Sequence, residues 1–145
     1  MTVFIGADHG GFEMKNALID YLHEKDIRVE DLGAYELIPD DDYPDYAKKV
    51  AQAVLQNPNE FVGIVVCRSG VGVDITVNRF DGIRCVLGFD ETEVQKAKED
   101  DNVNVLALPA DYVDLEKAQK LVEAFLDAVP KSNPKYQRRI EKIDE

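Results

Sequence analysis

The chain has no tryptophan, and its 145 residues include only two cysteines and two histidines. Cys67 and Cys85 each sit in or beside an apolar run that reads as a buried strand, so free thiols are expected rather than a disulfide framework. The few His and Cys are too dispersed to hold a metal, and Asp40-Asp41-Asp42 lacks the wider pattern of a calcium loop. No metal is expected, and the acidic triplet reads as solvated loop. Basic residues are also scarce. Lys and Arg number 17 against 29 Asp and Glu, a formal charge of −12, so no basic face is available to hold nucleic acid. Long hydrophobic stretches are missing too: Phe61–Cys67 and Val103–Ala110 fall far short of the roughly 20 residues of a membrane-spanning helix. Met1 leads straight into a strand-like segment without a signal-peptide core, and a cytoplasmic location is the expectation. If the ligand is anionic, so acidic a chain must build a positive spot locally.

What is present is a regular alternation of strand and helix, and a hydrophobic fraction of 45% that suits a single domain over residues 1–145. Val3–Ile5 reads as a buried strand ending in the turn Gly6-Ala7-Asp8-His9-Gly10-Gly11, followed by a helix carrying Phe12, Leu18, Ile19 and Leu22. Arg28–Leu32 offers a second strand and Tyr46–Leu55 a second helix. Phe61–Cys67 is nearly unbroken in its apolar character, which predicts burial on both sheet faces. A short helix over Val73–Asn78, a strand over Ile83–Leu87, a helix over Thr92–Glu99 and a strand over Val105–Leu108 follow. Leu115, Ala118, Leu121, Val122, Phe125, Leu126 and Val129 mark an amphipathic helix stopped by Pro130, and a last helix carries Lys135, Arg138, Arg139 and Lys142. The pattern predicts a three-layer α/β domain with a parallel sheet of five strands.

Ligands of such sheets bind beyond the carboxyl ends of the strands. That rule selects Asp8-His9-Gly10-Gly11 and Cys67-Arg68-Ser69-Gly70-Val71-Gly72. In the second segment a thiol ends a strand, and a hydroxyl and two glycines open a helix. Backbone N–H groups in such a turn can hold an oxyanion, and their field favours a thiolate. The alternative is a core cysteine beside an ordinary tight turn, and Asp8-His9 has an equally plain reading as a cap for the next helix. His23 reads as a surface residue. Neither segment matches a dinucleotide or phosphate-loop signature, so no nucleotide cofactor is expected.

Taken in order, Gly6-Ala7-Asp8-His9-Gly10-Gly11-Phe12 with Lys15, Asp42-Tyr43-Pro44, Cys67-Arg68-Ser69-Gly70-Val71-Gly72, Asn78-Arg79-Phe80-Asp81-Gly82-Ile83-Arg84, Asn104-Val105-Leu106-Ala107 and Gln137-Arg138-Arg139-Ile140-Glu141 resemble the ribose-5-phosphate isomerase B family. That family includes the two subunits of galactose-6-phosphate isomerase, and the resemblance spans essentially the whole chain. It implies a Rossmann-like domain whose C-terminal helix reaches a partner subunit, as a homodimer or dimer of dimers with a shared active site. The implied chemistry is metal-free and cofactor-free aldose–ketose isomerisation of a sugar phosphate through a cis-enediolate. Cys67 matches the base that moves a proton between C1 and C2, while Ser69, Gly70 and Gly72 match the anion hole. Asp8 and Tyr43 match contacts to the sugar, and His9, Lys135 and Arg139 match phosphate ligands.

Several positions depart from the family. A His-Asn pair precedes the Asn-Val-Leu strand there, with the His opening the sugar ring; Asp100 and Asp101 stand here instead. A carboxylate with an ordinary pKa near 3.9 is a poor proton donor at neutral pH. Arg68 replaces a glycine, Asp111 an arginine, and Lys135 another arginine. Arg68, at the mouth of the anion turn, is suited to bind a phosphate or carboxylate in place of the cation lost at Asp111. Asp74 reads as a favourable charge near a helix N-terminus. The leading expectation is an active isomerase with Cys67, Ser69 and Asp100 as catalytic groups. The alternatives are an impaired sugar-phosphate-binding subunit working with a paralogue, and a site retuned to another anionic sugar.

Overall fold

A computed structural model describes the whole chain, Met1–Glu145. Five strands, β1 (Thr2–Ala7), β2 (Arg28–Asp31), β3 (Phe61–Cys67), β4 (Cys85–Leu87) and β5 (Val105–Pro109), form one parallel sheet in the order β2-β1-β3-β5-β4. Six helices connect or follow them: α1 (Phe12–Glu24), α2 (Tyr43–Gln56), α3 (Val71–Val77), α4 (Glu91–Asp101), α5 (Leu115–Asp127) and α6 (Pro134–Glu141). The expected three-layer α/β architecture is the one observed. No helix is long and apolar enough to cross a membrane.

The alternation of side chains along each strand builds two cores, one on each sheet face. Val3, Ile5, Ile64, Val66, Leu106 and Leu108 point to one face and meet Leu18 and Leu22 of α1 and Leu121, Val122 and Phe125 of α5. Phe4, Val65, Cys67, Val105 and Ala107 point to the other, where Ala47, Val50, Ala51 and Val54 of α2 and Val73 and Val77 of α3 cover them. β1 and β5 are buried along their whole length and β3 from Gly63 to Cys67, because both faces are covered there, which is why their sequences read as nearly unbroken apolar runs.

The ends of the elements are set by local chemistry. Pro44 stands in the first turn of α2, where its missing N–H costs nothing, and the helix begins earlier than the periodicity of Tyr46–Leu55 predicts. A reciprocal cap between Asp90 and Glu93 starts α4, and Asn102, with φ of 45°, ends it. Asp114 accepts a bond from the Lys117 N–H at the start of α5, and Asn133 does the same for Lys135 at the start of α6. Arg84 grips the end of α4 by donating to the carbonyls of Asp101 and Asn102 at 2.9 Å each.

Because the chain runs from β1 outward to β2 and then returns across the sheet to β3, α1 and α2 lie on opposite faces. A crevice therefore opens beyond the carboxyl ends of β1 and β3, the usual ligand position in open α/β sheets.

Candidate active site

The loops at this edge bring together eight of the residues selected from the sequence. Cys67 is the last residue of β3, on the α2/α3 side of the sheet and only 4% exposed. The turn that follows passes through Gly70 at φ of 74°, a left-handed conformation that favours glycine, and opens directly into α3. A Cβ at Gly70 would lie 2.5 Å from Leu87 and 3.1 Å from the backbone of Leu108 and Pro109, so the turn is pressed against the ends of β4 and β5. The Ser69 hydroxyl accepts a bond from the Val71 N–H at 3.2 Å, while the N–H groups of Ser69, Gly70 and Gly72 have no acceptor within the chain. Three donors beside a thiol form a ready oxyanion site. Tyr43 closes it from the start of α2: its ring fills the space a Cβ on Gly72 would need, 2.5 Å from that position.

At the end of β1, Asp8 is buried and its Oδ1 accepts from the N–H groups of Gly10 and Gly11 at 2.9 and 3.2 Å. These bonds close the turn ahead of α1 rather than cap the helix, whose N-cap is Gly11 without a side-chain bond, and they occupy one carboxylate oxygen. Burial raises the Asp8 pKa above the usual carboxylate value, partly offset by those two bonds.

Beside His9 the structure differs from the sequence expectation at Asp41. The His9 N–H and ring Nδ1 both contact Oδ1 of Asp41, at 2.8 and 2.7 Å, and Tyr46 donates to the other oxygen at 2.9 Å. Asp41 is thus not part of a solvated loop, although Asp40 and Asp42 beside it are exposed. The bond to Asp41 raises the His9 pKa above the usual imidazole value and so extends the imidazolium to higher pH. Burial opposes the charge on Asp41, yet the bonds from His9 and Tyr46 outweigh it and hold that carboxyl below its ordinary value. Burial and the same bond push the Tyr46 hydroxyl up to about 12. Asp41 and Tyr46 escaped the sequence reading; the only signal was an acidic triplet just before Tyr43-Pro44.

His9 and Arg68 flank a cleft of about 700 Å³ that also presents Glu13, Asp111 and Asp114. Arg68 is 63% exposed on its side chain and lies 3.6 Å from Asp111. The cation entering from β3 thus stands beside the carboxylate in the loop after β5. Asp74 does occupy the first turn of α3, but it is half-buried, accepts from Asn78 at 3.0 Å, and has its pKa raised by desolvation.

Asp100, Asp101, Lys135 and Arg139 are not with Cys67 in one chain. Cys67 pairs in register with Pro109 at the carboxyl end of β5, whereas α4 delivers Asp100 and Asp101 to the amino end, just before Val105. At about 3.3 Å per residue, β5 separates these two ends by more than 13 Å. Asp100 there contacts Lys131 at 2.5 Å, an ion pair that lowers its pKa and keeps it ionised. Lys131, Lys135 and Arg139 all approach the Tyr136 ring, at 5.0, 5.1 and 5.9 Å. This basic spot lies on α6 and the segment just before it, and α6 buries none of its own side chains.

A family model described as Ribose/Galactose Isomerase matches residues 3–143. The chain is 39% identical over 141 residues to a probable ribose-5-phosphate isomerase B of Mycoplasma pneumoniae, covering 97% of this chain and 91% of that one. Among solved structures, a ribose-5-phosphate isomerase B of Thermotoga maritima superposes with a TM-score of 0.89 at 40% identity, covering 99% of this chain and 97% of the other. The Mycoplasma genitalium ribose-5-phosphate isomerase B, solved with bound ribulose 5-phosphate, superposes with a TM-score of 0.94 at 37% identity, covering 98% and 93%.

Proposed function

Because the chain belongs to the ribose/galactose isomerase family, we propose that it interconverts the aldose and ketose forms of a phosphorylated sugar, ribose 5-phosphate and ribulose 5-phosphate being the first candidates. The observation that carries this reading is the Cys67 thiol set beside three backbone N–H groups that lack an acceptor. In the reaction, the Cys67 thiolate takes the proton from C2 of the open-chain aldose. The electron pair moves toward the carbonyl, a proton passes between O1 and O2, and the enediolate is held by the N–H groups of Ser69, Gly70 and Gly72. Cys67 then returns its proton to C1. Asp8 and Tyr43 contact the sugar hydroxyls, and His9 and Arg68 hold the phosphate.

Charge supports a site completed by a second copy. The cleft of one chain sets His9 and Arg68 against Glu13, Asp111 and Asp114 on its walls, with Asp8 and Asp41 close to His9, a poor balance for a phosphate dianion. The matching cations, Lys135 and Arg139, stand exposed on α6 at the other end of the sheet. A partner that lays its α6 across this cleft supplies them, together with Asp100 and Asp101 of its α4. Purified protein given ribose 5-phosphate is expected to form ribulose 5-phosphate, with Cys67→Ala inactive. Absence of turnover with ribose 5-phosphate and with allose 6-phosphate, a related hexose phosphate, removes the proposal.

A second reading rests on the Asp100–Lys131 pair. A carboxyl held ionised cannot protonate the ring oxygen of a cyclic sugar, so ring opening is left to water or to a paralogous subunit. With excess protein, the aldose-to-ketose rate then plateaus at the spontaneous ring-opening rate. A rate that keeps rising with protein concentration overturns this second reading.

A further inference from the structure

The His9–Asp41–Tyr46 group belongs to the cleft but is explained neither by the proton transfer nor by packing. Asp41 enters from the loop before α2, far in sequence from His9, and its side chain is only 8% exposed. Its two oxygens are fully engaged: Oδ1 by the His9 N–H and ring Nδ1, Oδ2 by the Tyr46 hydroxyl. Ring Nε2 makes no bond within the chain, and His9 lines the cleft.

We propose that Asp41 is a positioning residue for this site, locking the His9 ring through Nδ1 so that Nε2–H of the imidazolium is presented to the anionic end of the ligand. The proposal deepens the isomerase reading and rests on it for the identity of that ligand as a phosphate. Fixing the ring in advance spares part of the entropy of ordering it on binding. A carboxylate on the far nitrogen also settles which nitrogen carries the proton when the ring is neutral, and keeps the ring charged to higher pH.

The groups that act on His9 come from every side of the cleft. Asp41 and Asp8 favour its cation, and Arg68 opposes it. Glu13 of α1 and Asp111 and Asp114 of the loop before α5 share the same walls. Of these, Asp41 alone is hydrogen-bonded to the ring. A phosphate gains from the His9 charge and loses from the Asp41 charge, so the signature of positioning is a pH profile rather than a uniform loss of affinity.

The experiment is NMR of the imidazoles with inorganic phosphate as the probe. The chain has only two histidines, and exposed His23 serves as the internal reference. In wild-type protein above its titration, His9 is expected as the Nδ1–H tautomer; an Nε2–H tautomer overturns the proposal without any variant. In Asp41→Asn, the His9 midpoint is expected to move to lower pH. Phosphate affinity should match wild type in acid and fall about tenfold between the two His9 midpoints, where only the wild-type ring is charged, equivalent to about 1.4 kcal/mol. A His9 midpoint or a phosphate pH profile that Asp41→Asn leaves unmoved overturns it. If Asp41→Asn does not fold, the wild-type tautomer decides alone. None of these readouts needs turnover, so a chain that fails to isomerise sugars would sink the isomerase reading and leave this result to stand or fall separately.

Discussion

Replacing Arg68 by glycine restores the residue found at this position in the resembling family and isolates what the arginine contributes. Its guanidinium is 3.6 Å from Asp111, and both side chains are largely exposed. An ion pair of that kind contributes about 0.5 kcal/mol or less to stability, so Arg68→Gly should unfold in urea almost where wild type does. Its effect on a phosphorylated ligand is larger. A hydrogen bond to a charged group contributes about 1.5–3 kcal/mol, which is roughly 10- to 100-fold in affinity. Asp111 competes for the same guanidinium and repels the same phosphate, which sets the expectation at the lower end, near tenfold. The phosphate does not react, so the loss should appear as a higher KM at nearly unchanged kcat. Removing the competing charge with Asp111→Ala should lower KM several-fold, most clearly at low salt, because two unit charges about 4 Å apart still interact by about 1 kcal/mol even at the dielectric constant of water. Steady-state kinetics over a salt series on the single and double variants checks this. A KM for Arg68→Gly equal to that of wild type, or kcat falling as steeply as kcat/KM, refutes Arg68 as a phosphate ligand.

Two further predictions concern the supports of the site. Gly70→Ala forces an alanine to φ of 74° against unyielding backbone at Leu108 and Pro109, and should cost about 2 kcal/mol in urea unfolding; a change below about 0.5 kcal/mol would mean that the turn is not constrained as described. Lys15 is completely buried, paired with Asp31 at 2.7 Å and bonded to the Asn16 side-chain oxygen at 2.9 Å, so Asp31→Ala leaves the ammonium a neutral acceptor alone and should destabilise by about 3 kcal/mol. Lys15→Met should cost less than about 1 kcal/mol and should recover most of the loss in the double variant. Simple additivity of the two changes would contradict this assignment.

The layers and the sheet were legible in the sequence because both faces of β1, β3 and β5 are covered, which demands apolar runs with little interruption. The ends of elements were less so. Tyr43 and Pro44 begin α2 through the tolerance of a first turn for proline, although the apolar spacing starts later. Of the site, Asp8, His9, Cys67 and the Ser69–Gly72 turn were legible because a strand-to-turn-to-helix junction is a local pattern. Asp41 was hidden: three consecutive aspartates are chemically alike, and only the path of the loop decides which one meets His9. The separation of Asp100 from Cys67 follows from element order, since the end of a helix that precedes a parallel strand lies at the amino edge of the sheet. The charge count behaves similarly: −12 describes the whole chain, while the basic spot around Tyr136 and the acidic cleft lie at opposite ends of the sheet.

The central claim is that Cys67 moves the proton between C1 and C2. Proton NMR of ribose 5-phosphate in deuterated water, with purified protein, follows both conversion to ketose and exchange of the hydrogens on C1 and C2. The account predicts that Cys67→Ala slows both by about 100-fold or more, the usual share of a positioned base, while still binding inorganic phosphate. Conversion and exchange by Cys67→Ala at the wild-type rate would contradict it.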